Sequence, residues 1–247
     1  MGHVISERKI LTVELKNKLG KEILFFDGAM GTMLQKKGLK LGKMPEDLNI
    51  DNPEIIEEIH SLYVNAGADI ITANTFGANE LKLEHSEYSQ EEIISSAIRL
   101  AKKSNPNGYT ALDIGPIGQL LEPLGTLKFE EAYEIFKKQI IIGEKSGADL
   151  ILIETMVDIY EAKAAILAAK ENSSLPVICT MTFQEDKRTL TGTSILGAVT
   201  ILESLGVDAL GVNCSLGPKE LIPIVEEILS YTKLPVIVQP NAGLPKM

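Results

Sequence analysis

The chain contains no tryptophan, two cysteines and three histidines in 247 residues. Two cysteines exclude a disulfide framework and suit a reducing compartment, so a cytoplasmic location is expected. The histidines offer little toward a metal cluster. His3 is terminal, His60 falls within an amphipathic helical pattern, and His85 follows charged residues at a loop or helix end. Basic residues are also scarce, 24 against 34 acidic, leaving a net charge of -10. That balance argues against a nucleic-acid partner or an anionic membrane surface. No apolar run reaches the length of a membrane span, and residues 1–21 lack the continuous apolar core of a signal peptide. No linker or low-complexity segment divides the chain. The expected organisation is therefore a lead-in over residues 1–22, with a helix, followed by one domain over 23–247.

Seven short apolar runs fill that domain: Ile23–Phe26, Ala68–Thr72, Thr110–Ile114, Ala148–Ile153, Pro176–Met181, Val207–Val212 and Leu234–Val238. Most lack polar alternation, as expected of strands buried on both faces of a parallel sheet. Segments of helical period lie between them. Pro53–Val64, for example, places Ile55, Ile56, Ile59, Leu62 and Tyr63 on one face. The junctions repeat as well. Ala66-Gly-Ala-Asp69, Ser146-Gly-Ala-Asp149 and Leu205-Gly-Val-Asp208 each place a capping glycine and then an aspartate ahead of a strand. Leu175-Pro and Leu234-Pro open two further strands at the position where proline is tolerated. This strand–helix repeat is α/β and predicts a (β/α)8 TIM barrel with seven βα strands present and the eighth missing. An open doubly wound sheet would call for a Gly-x-Gly-x-x-Gly loop after the first strand, and Asp27-Gly-Ala-Met-Gly-Thr32 does not have that form.

In such a barrel, function sits at the C-terminal ends of the strands. Asp27 and Glu154 each follow a fully apolar run, and a buried acid needs a partner. A ligand ammonium is one reading for each; a hydrogen bond to a neighbouring loop is the other. Gly28 to Gly31 can present backbone N–H groups to an anion, although a plain tight turn has the same composition. Two acids and an anion cradle together suggest an amino-acid ligand. Cys214 ends the sixth run, next to Asn213, where a thiol is either functional or a small buried hydrophobe. Cys179 lies inside the fifth run and reads as core. Asp113 reads as structural, ahead of the Gly115-Pro116 turn.

Six segments, in order along nearly the whole chain, carry a resemblance. They are Phe26-Asp-Gly-Ala-Met-Gly-Thr32; Asn74-Thr-Phe-Gly-Ala-Asn79; Asp113-Ile-Gly-Pro-Ile-Gly118 with Leu121-Glu-Pro-Leu-Gly125; Ile153-Glu-Thr-Met156; Thr180-Met-Thr-Phe183 with Leu190-Thr-Gly-Thr193; and Gly211-Val-Asn-Cys-Ser-Leu-Gly-Pro218. The chain resembles the homocysteine S-methyltransferase family, most closely the N-terminal homocysteine-binding module of cobalamin-dependent methionine synthases. The resemblance implies a (β/α)8 barrel that moves a methyl group onto the thiol of homocysteine to give methionine. It implies that Asp27 and Glu154 contact the amino group and that the Gly28 and Ala29 amides hold the carboxylate. It also sets Asn74 and Thr75 among the substrate-binding residues. The family's zinc is held by three cysteines. Cys214 corresponds to the first of these, and Asn241 would lie beside the metal as a ligand or a neighbour of one. The other two form an adjacent pair at the end of an eighth strand, which this chain lacks. The implied donor is methylcobalamin carried on another module. The implied partners are the cobalamin-binding and methyltetrahydrofolate-binding modules of a larger methionine synthase. No Asp-x-His-x-x-Gly motif for holding cobalamin occurs in this chain.

Three alternatives stay open from sequence. One is a non-catalytic truncated fragment that keeps part of the amino-acid pocket. Another is a betaine- or S-methylmethionine-dependent methyltransferase. The third is a metal-free lyase or aldolase, which ranks last because no lysine ends any of the seven runs for a Schiff base.

Overall fold

The computed structural model describes residues 13–39 and 44–242. The second to seventh apolar runs form six strands: β1 (Ile70–Thr72), β2 (Tyr109–Ile114), β3 (Leu150–Met156), β4 (Val177–Met181), β5 (Ala209–Asn213) and β6 (Val236–Gln239). They make one parallel sheet in the order β1 to β6, each strand pairing with the next in sequence. Helices connect them: α4 (Pro53–Asn65) leads into β1, and α5 (Gln90–Ser104), α6 (Phe129–Ser146), α7 (Ile159–Asn172), α8 (Ile195–Ser204) and α9 (Pro218–Tyr231) follow in turn. Residues 13–18 form α1, Met30–Lys36 form α2, and Leu48–Asp51 form α3. The result is a curled partial barrel.

The first run departs from expectation. Ile23–Phe26 lies parallel to β1 but contributes a single bridge, Phe26 with Ile70. The Asp69 and Ile70 N–H groups donate to Phe25 O, and Asp27 N donates to Ile70 O. Among the described residues this run has a neighbour on one side alone, so its outward side chains stay uncovered. Ile23 is 83% exposed and Phe25 61%.

The repeated junctions have a repeated cause. Gly67, Gly147 and Gly206 sit at φ of 102°, 109° and 75°, left-handed conformations that cost glycine little and end α4, α6 and α8. The aspartate two residues later then reaches sideways. Asp69 Oδ2 accepts from Phe25 N at 2.8 Å, Asp149 Oδ2 from Thr110 N at 2.9 Å, and Asp208 Oδ2 from Val177 N at 2.9 Å. Each satisfies a backbone N–H near the start of the neighbouring run: Val177 opens β4, Thr110 is the second residue of β2, and Phe25 lies in the first run.

The strands divide their side chains between two layers with the period of two that a pleat imposes. Ile71, Ile151, Ile153 and Cys179 face the helices in the main core, whereas Ile70, Ala111, Leu152 and Ile178 face the barrel interior. Leu15 of α1 is fully buried against that interior set, so α1 plugs the N-terminal end of the barrel. The opposite, C-terminal end is left open for the loops. Among the described residues, no helix is long and apolar enough to cross a membrane.

Candidate functional site

A cavity of about 990 Å³ runs along the barrel interior between the first run and β6 and reaches the C-terminal strand ends. Asp27, Gly28, Ala29, Asn74, Glu154, Cys214 and Asn241 all line it, together with Asp113 and Asn213. Thr75 is not among the lining residues. It is fully buried, its hydroxyl donating to Asp113 O at 2.8 Å and accepting from Asp113 N at 3.1 Å. The structure therefore places Thr75 in the wall, pinning the loop after β1 to the end of β2. Asn74 is 6% exposed, and its Nδ2 donates to Pro45 O and Asn49 Oδ1 at 2.8 and 3.0 Å. Both of its amide hydrogens are thus used to hold neighbouring loops.

Asp27 is held by Thr72. The Thr72 N–H lies 3.1 Å from each carboxylate oxygen, and its hydroxyl donates to Oδ1 at 2.8 Å. Burial nevertheless pushes the Asp27 carboxyl up to about 7, with the nearby Glu154 charge adding to the rise and the Thr72 bonds opposing it. Glu154 is raised to about 7 by burial. Asp113 on β2 is raised well above the usual carboxylate range, first by burial and then by the charges of Glu154, Asp27 and Glu46. Its Oδ1 is buried without a hydrogen-bond partner. Among the described residues, no lysine, arginine or histidine forms an ion pair with any of the three. Three acids with elevated proton affinity converging on one cavity form an arrangement that a cationic ligand would relieve.

The anion side of the site comes from the turn after Phe26. Ala29 precedes α2 in extended conformation, and no side chain caps the helix's first turn. Among the described residues, those N–H groups have no side-chain acceptor, which leaves them to another acceptor. An added Cβ at Gly28 would lie 2.8 Å from Tyr63 Cε1, so any side chain there requires the Tyr63 ring to move. The Tyr63 hydroxyl in turn donates to Ala29 O at 3.3 Å.

The sulfur side is strained. Thr155, Cys214 and Ser215 have φ of 60°, 59° and 59°. Left-handed backbone at a non-glycine residue costs on the order of 1–3 kcal/mol and persists where the surroundings overdetermine it. Cys214 is half-buried, with Sγ 3.9 Å from Thr155 Oγ1 and 3.5 Å from Asn213 Nδ2. Burial raises its thiol above the ordinary value, partly offset by the Thr155 hydroxyl. Cys179 is fully buried in the helix-facing core, as its position inside a strand implied. His60 is also fully buried, on α4, and burial lowers it to about 4.

A zinc site takes three or four protein ligands. Among the described residues, no group of three His, Cys, Asp or Glu side chains gathers to hold a metal, and the 247 residues contain no cysteine besides 179 and 214. Cys214 alone does not fit the group. Asn241 lines the same cavity, with its backbone N–H donating to Leu216 O at 3.0 Å.

Sequence reasoning underrated two residues here. Asp113 carried a signal, being an acid in the otherwise uncharged, wholly buried run of β2. Thr155 carried none, because its left-handed conformation follows from the tertiary setting.

The family described as homocysteine S-methyltransferase matches residues 24–247. The chain belongs to that family. It is 30% identical to the methionine synthase of Mycobacterium tuberculosis over 260 residues, covering 97% of this chain and 22% of that protein. It is 31% identical to the methionine synthase of Mycobacterium leprae, covering 94% and 21%. The chain thus spans about a fifth of the length of these curated relatives. Among solved structures, the metallated form of the Escherichia coli homocysteine methyltransferase MmuM superposes with a TM-score of 0.81 at 24% identity, over 91% of this chain and 85% of that one. At that identity the superposition speaks for the fold, and it supports a TIM-barrel architecture.

Proposed function

We propose that this chain is the homocysteine-binding barrel of a methionine-synthase-type methyltransferase in a reducing cytoplasm. The observation that carries the reading is the trio of buried acids, Asp27, Glu154 and Asp113, sharing one cavity with the Cys214 thiol and forming no ion pair among the described residues, with Lys82 as the cation that acts on Asp113 from a distance. An α-amino acid supplies the missing cation. Its carboxylate finds the uncapped amides after Gly28 and Ala29, beside the positive end of a helix. Asp27 and Glu154 fix the ammonium, the bound head orients the side chain, and the sulfur reaches toward β5. A head group held at two points converts methyl transfer from a free collision into a positioned one.

The methyl donor in this proposal is methylcobalamin on a separate module, and the partners are the cobalamin-binding and methyltetrahydrofolate-binding modules of a larger synthase. The methionine synthase relatives support that donor over betaine or S-methylmethionine. Zinc on Cys214, with Asn241 beside it, remains an inference from the resemblance. The binding and orientation chemistry belongs to the chain's own carboxylates and amides. The single thiol at the cavity favours a second reading for these 247 residues alone, a barrel that binds homocysteine without turning it over.

Titration calorimetry with homocysteine and zinc analysis of the dialysed chain test the proposal together. Homocysteine is expected to bind wild-type protein, and Glu154→Gln is expected to weaken binding by about tenfold, the loss of one charge-assisted contact. Failure of homocysteine to bind in the presence of zinc would overturn the reading. Less than one zinc per chain would mean that Cys214 needs further ligands. A full equivalent surviving Cys214→Ala would remove Cys214 from the metal.

A further inference from the structure

Asn213, at the end of β5, has no role in the reading above, yet it is 2% exposed and hydrogen-bonded on both sides of its carboxamide. Its Oδ1 accepts from Thr155 N at 3.1 Å. A backbone N–H can only donate, so chemistry fixes which way the amide points. The same oxygen accepts from the hydroxyls of Thr180 at 3.0 Å and Thr182 at 3.4 Å. This half of the amide stitches the end of β5 to the ends of β3 and β4. The nitrogen half meets the cavity. Nδ2 donates to Thr155 Oγ1 at 2.7 Å and lies 3.5 Å from both Glu154 Oε2 and Cys214 Sγ.

One buried side chain therefore touches the acid at one end of the site and the sulfur at the other. It also braces two of the three strained residues, Thr155 through its N–H and hydroxyl and Cys214 as its chain neighbour. Relaxation of either strained turn would move Glu154 relative to Cys214, and the amide opposes both motions.

We propose that Asn213 is a positioning residue that sets the separation between the Glu154 carboxylate and the sulfur end of the cavity, and so selects the thiol amino acid by its chain length. This rests on the homocysteine-binding reading. Homocysteine and cysteine share the same head and differ by one methylene. In a fixed pocket a single methylene is worth roughly 10- to 200-fold in discrimination. A pocket whose two ends drift apart or together loses that discrimination before it loses affinity for the shared head.

The test measures dissociation constants for homocysteine and for cysteine, with the melting temperature, on the 247-residue chain and two variants. Thr155→Val removes the hydroxyl that anchors Nδ2 while keeping a β-branched side chain and the N–H that Oδ1 accepts. Asn213→Ala removes both halves of the amide. Wild type is expected to prefer homocysteine by about tenfold or more. Thr155→Val is expected to hold its melting temperature within about 3 °C, the scale of a ~1 kcal/mol change in a chain of this size, while its preference falls below about threefold. Asn213→Ala is expected to lose stability and preference together. A merely structural role would weaken both ligands equally. An unchanged homocysteine-to-cysteine ratio in Thr155→Val, or in folded Asn213→Ala, would overturn the proposal. So would wild-type protein that binds both ligands equally well. Wild-type protein that binds neither would instead overturn the functional reading on which this one rests.

Discussion

Homocysteine affinity should fall steeply as the pH drops through 7. Asp27 and Glu154 both sit at about 7 because burial favours their neutral forms, and a ligand ammonium binds the ionised forms. At pH 8 each carboxyl is about nine-tenths ionised and at pH 6 about one-tenth, which follows from a pKa one unit away. If the ammonium needs both charges, the dissociation constant rises about 100-fold from pH 8 to pH 6, or ~2.7 kcal/mol. If it needs one, the change is about tenfold. Asp27→Asn distinguishes the two cases. Asn keeps an acceptor for the Thr72 N–H and hydroxyl, and the variant should lower the affinity at pH 8 and flatten the slope to about tenfold. The free protein should respond with the opposite sign. A carboxyl whose folded pKa is raised from 3.8 or 4.5 to about 7 gives stability that is complete below pH ~4 and lost as the pH climbs to ~7. Glu161, also at about 7, and Asp113 and Glu46, also raised by burial, act in the same direction. His60, lowered to about 4, acts against them: its contribution is present above pH 6.5 and lost as the pH falls toward 4. One histidine stands against five carboxyls, so the free chain should unfold more easily at pH 8 than at pH 5. Homocysteine should then raise the melting temperature more at pH 8 than at pH 6. Calorimetric titration at half-unit steps from pH 6 to pH 8, with parallel thermal scans, gives both readouts. A dissociation constant that is flat across that range would refute the idea that either carboxylate receives the ammonium.

The strand–helix periodicity was legible because burial of a parallel sheet on both faces leaves a continuous apolar run, and six of the seven runs form strands at their expected places. The Gly-x-Asp junctions were legible as caps. The lateral bond from each aspartate to the preceding strand was not, because it needs knowledge of which strands are neighbours. The first run was overread: its composition suits a strand, but Ile23–Phe26 contributes a single bridge, Phe26 with Ile70, rather than a ladder. At the site, strand-end position located Asp27, Glu154 and Cys214 on the cavity. It did not separate Asn74, which lines the cavity, from Thr75, which is sealed behind it. Adjacent residues past a strand end point in different directions, and the turn geometry decides between them. Asp113 was set aside on the strength of a following Gly-Pro turn, whereas its charge within a buried strand was the better guide.

Two glycines separate binding from folding. Gly28→Ala should press a methyl group against the Tyr63 ring, at 2.8 Å from Cε1 in the present geometry, and displace the turn that presents the free amides. Homocysteine affinity should drop by about tenfold, ~1.4 kcal/mol, with a small change in melting temperature; calorimetry showing wild-type affinity would remove the amide cradle from the site. Gly211→Ala should do the reverse. Gly211 pairs with Ile237 across β5 and β6, and an added Cβ would lie 1.9 Å from Ile237 O. No rotamer relieves a clash with a backbone oxygen, so the two strands must separate where Leu210 N donates to Pro235 O at 3.1 Å and Cys214 N to Gln239 O at 3.0 Å. Overpacking of this kind costs about 3 kcal/mol or more, which for a chain of this length lowers the melting temperature by about 6–12 °C. Because β6 is the last of the described strands, its outer edge has no ladder partner among the described residues to hold it in place. Its displacement would also carry Asn241 away from the cavity. A Gly211→Ala protein that melts within about 2 °C of wild type would mean that β6 is not tied to β5 in the register described, and that the cavity wall beyond Cys214 has to be redrawn.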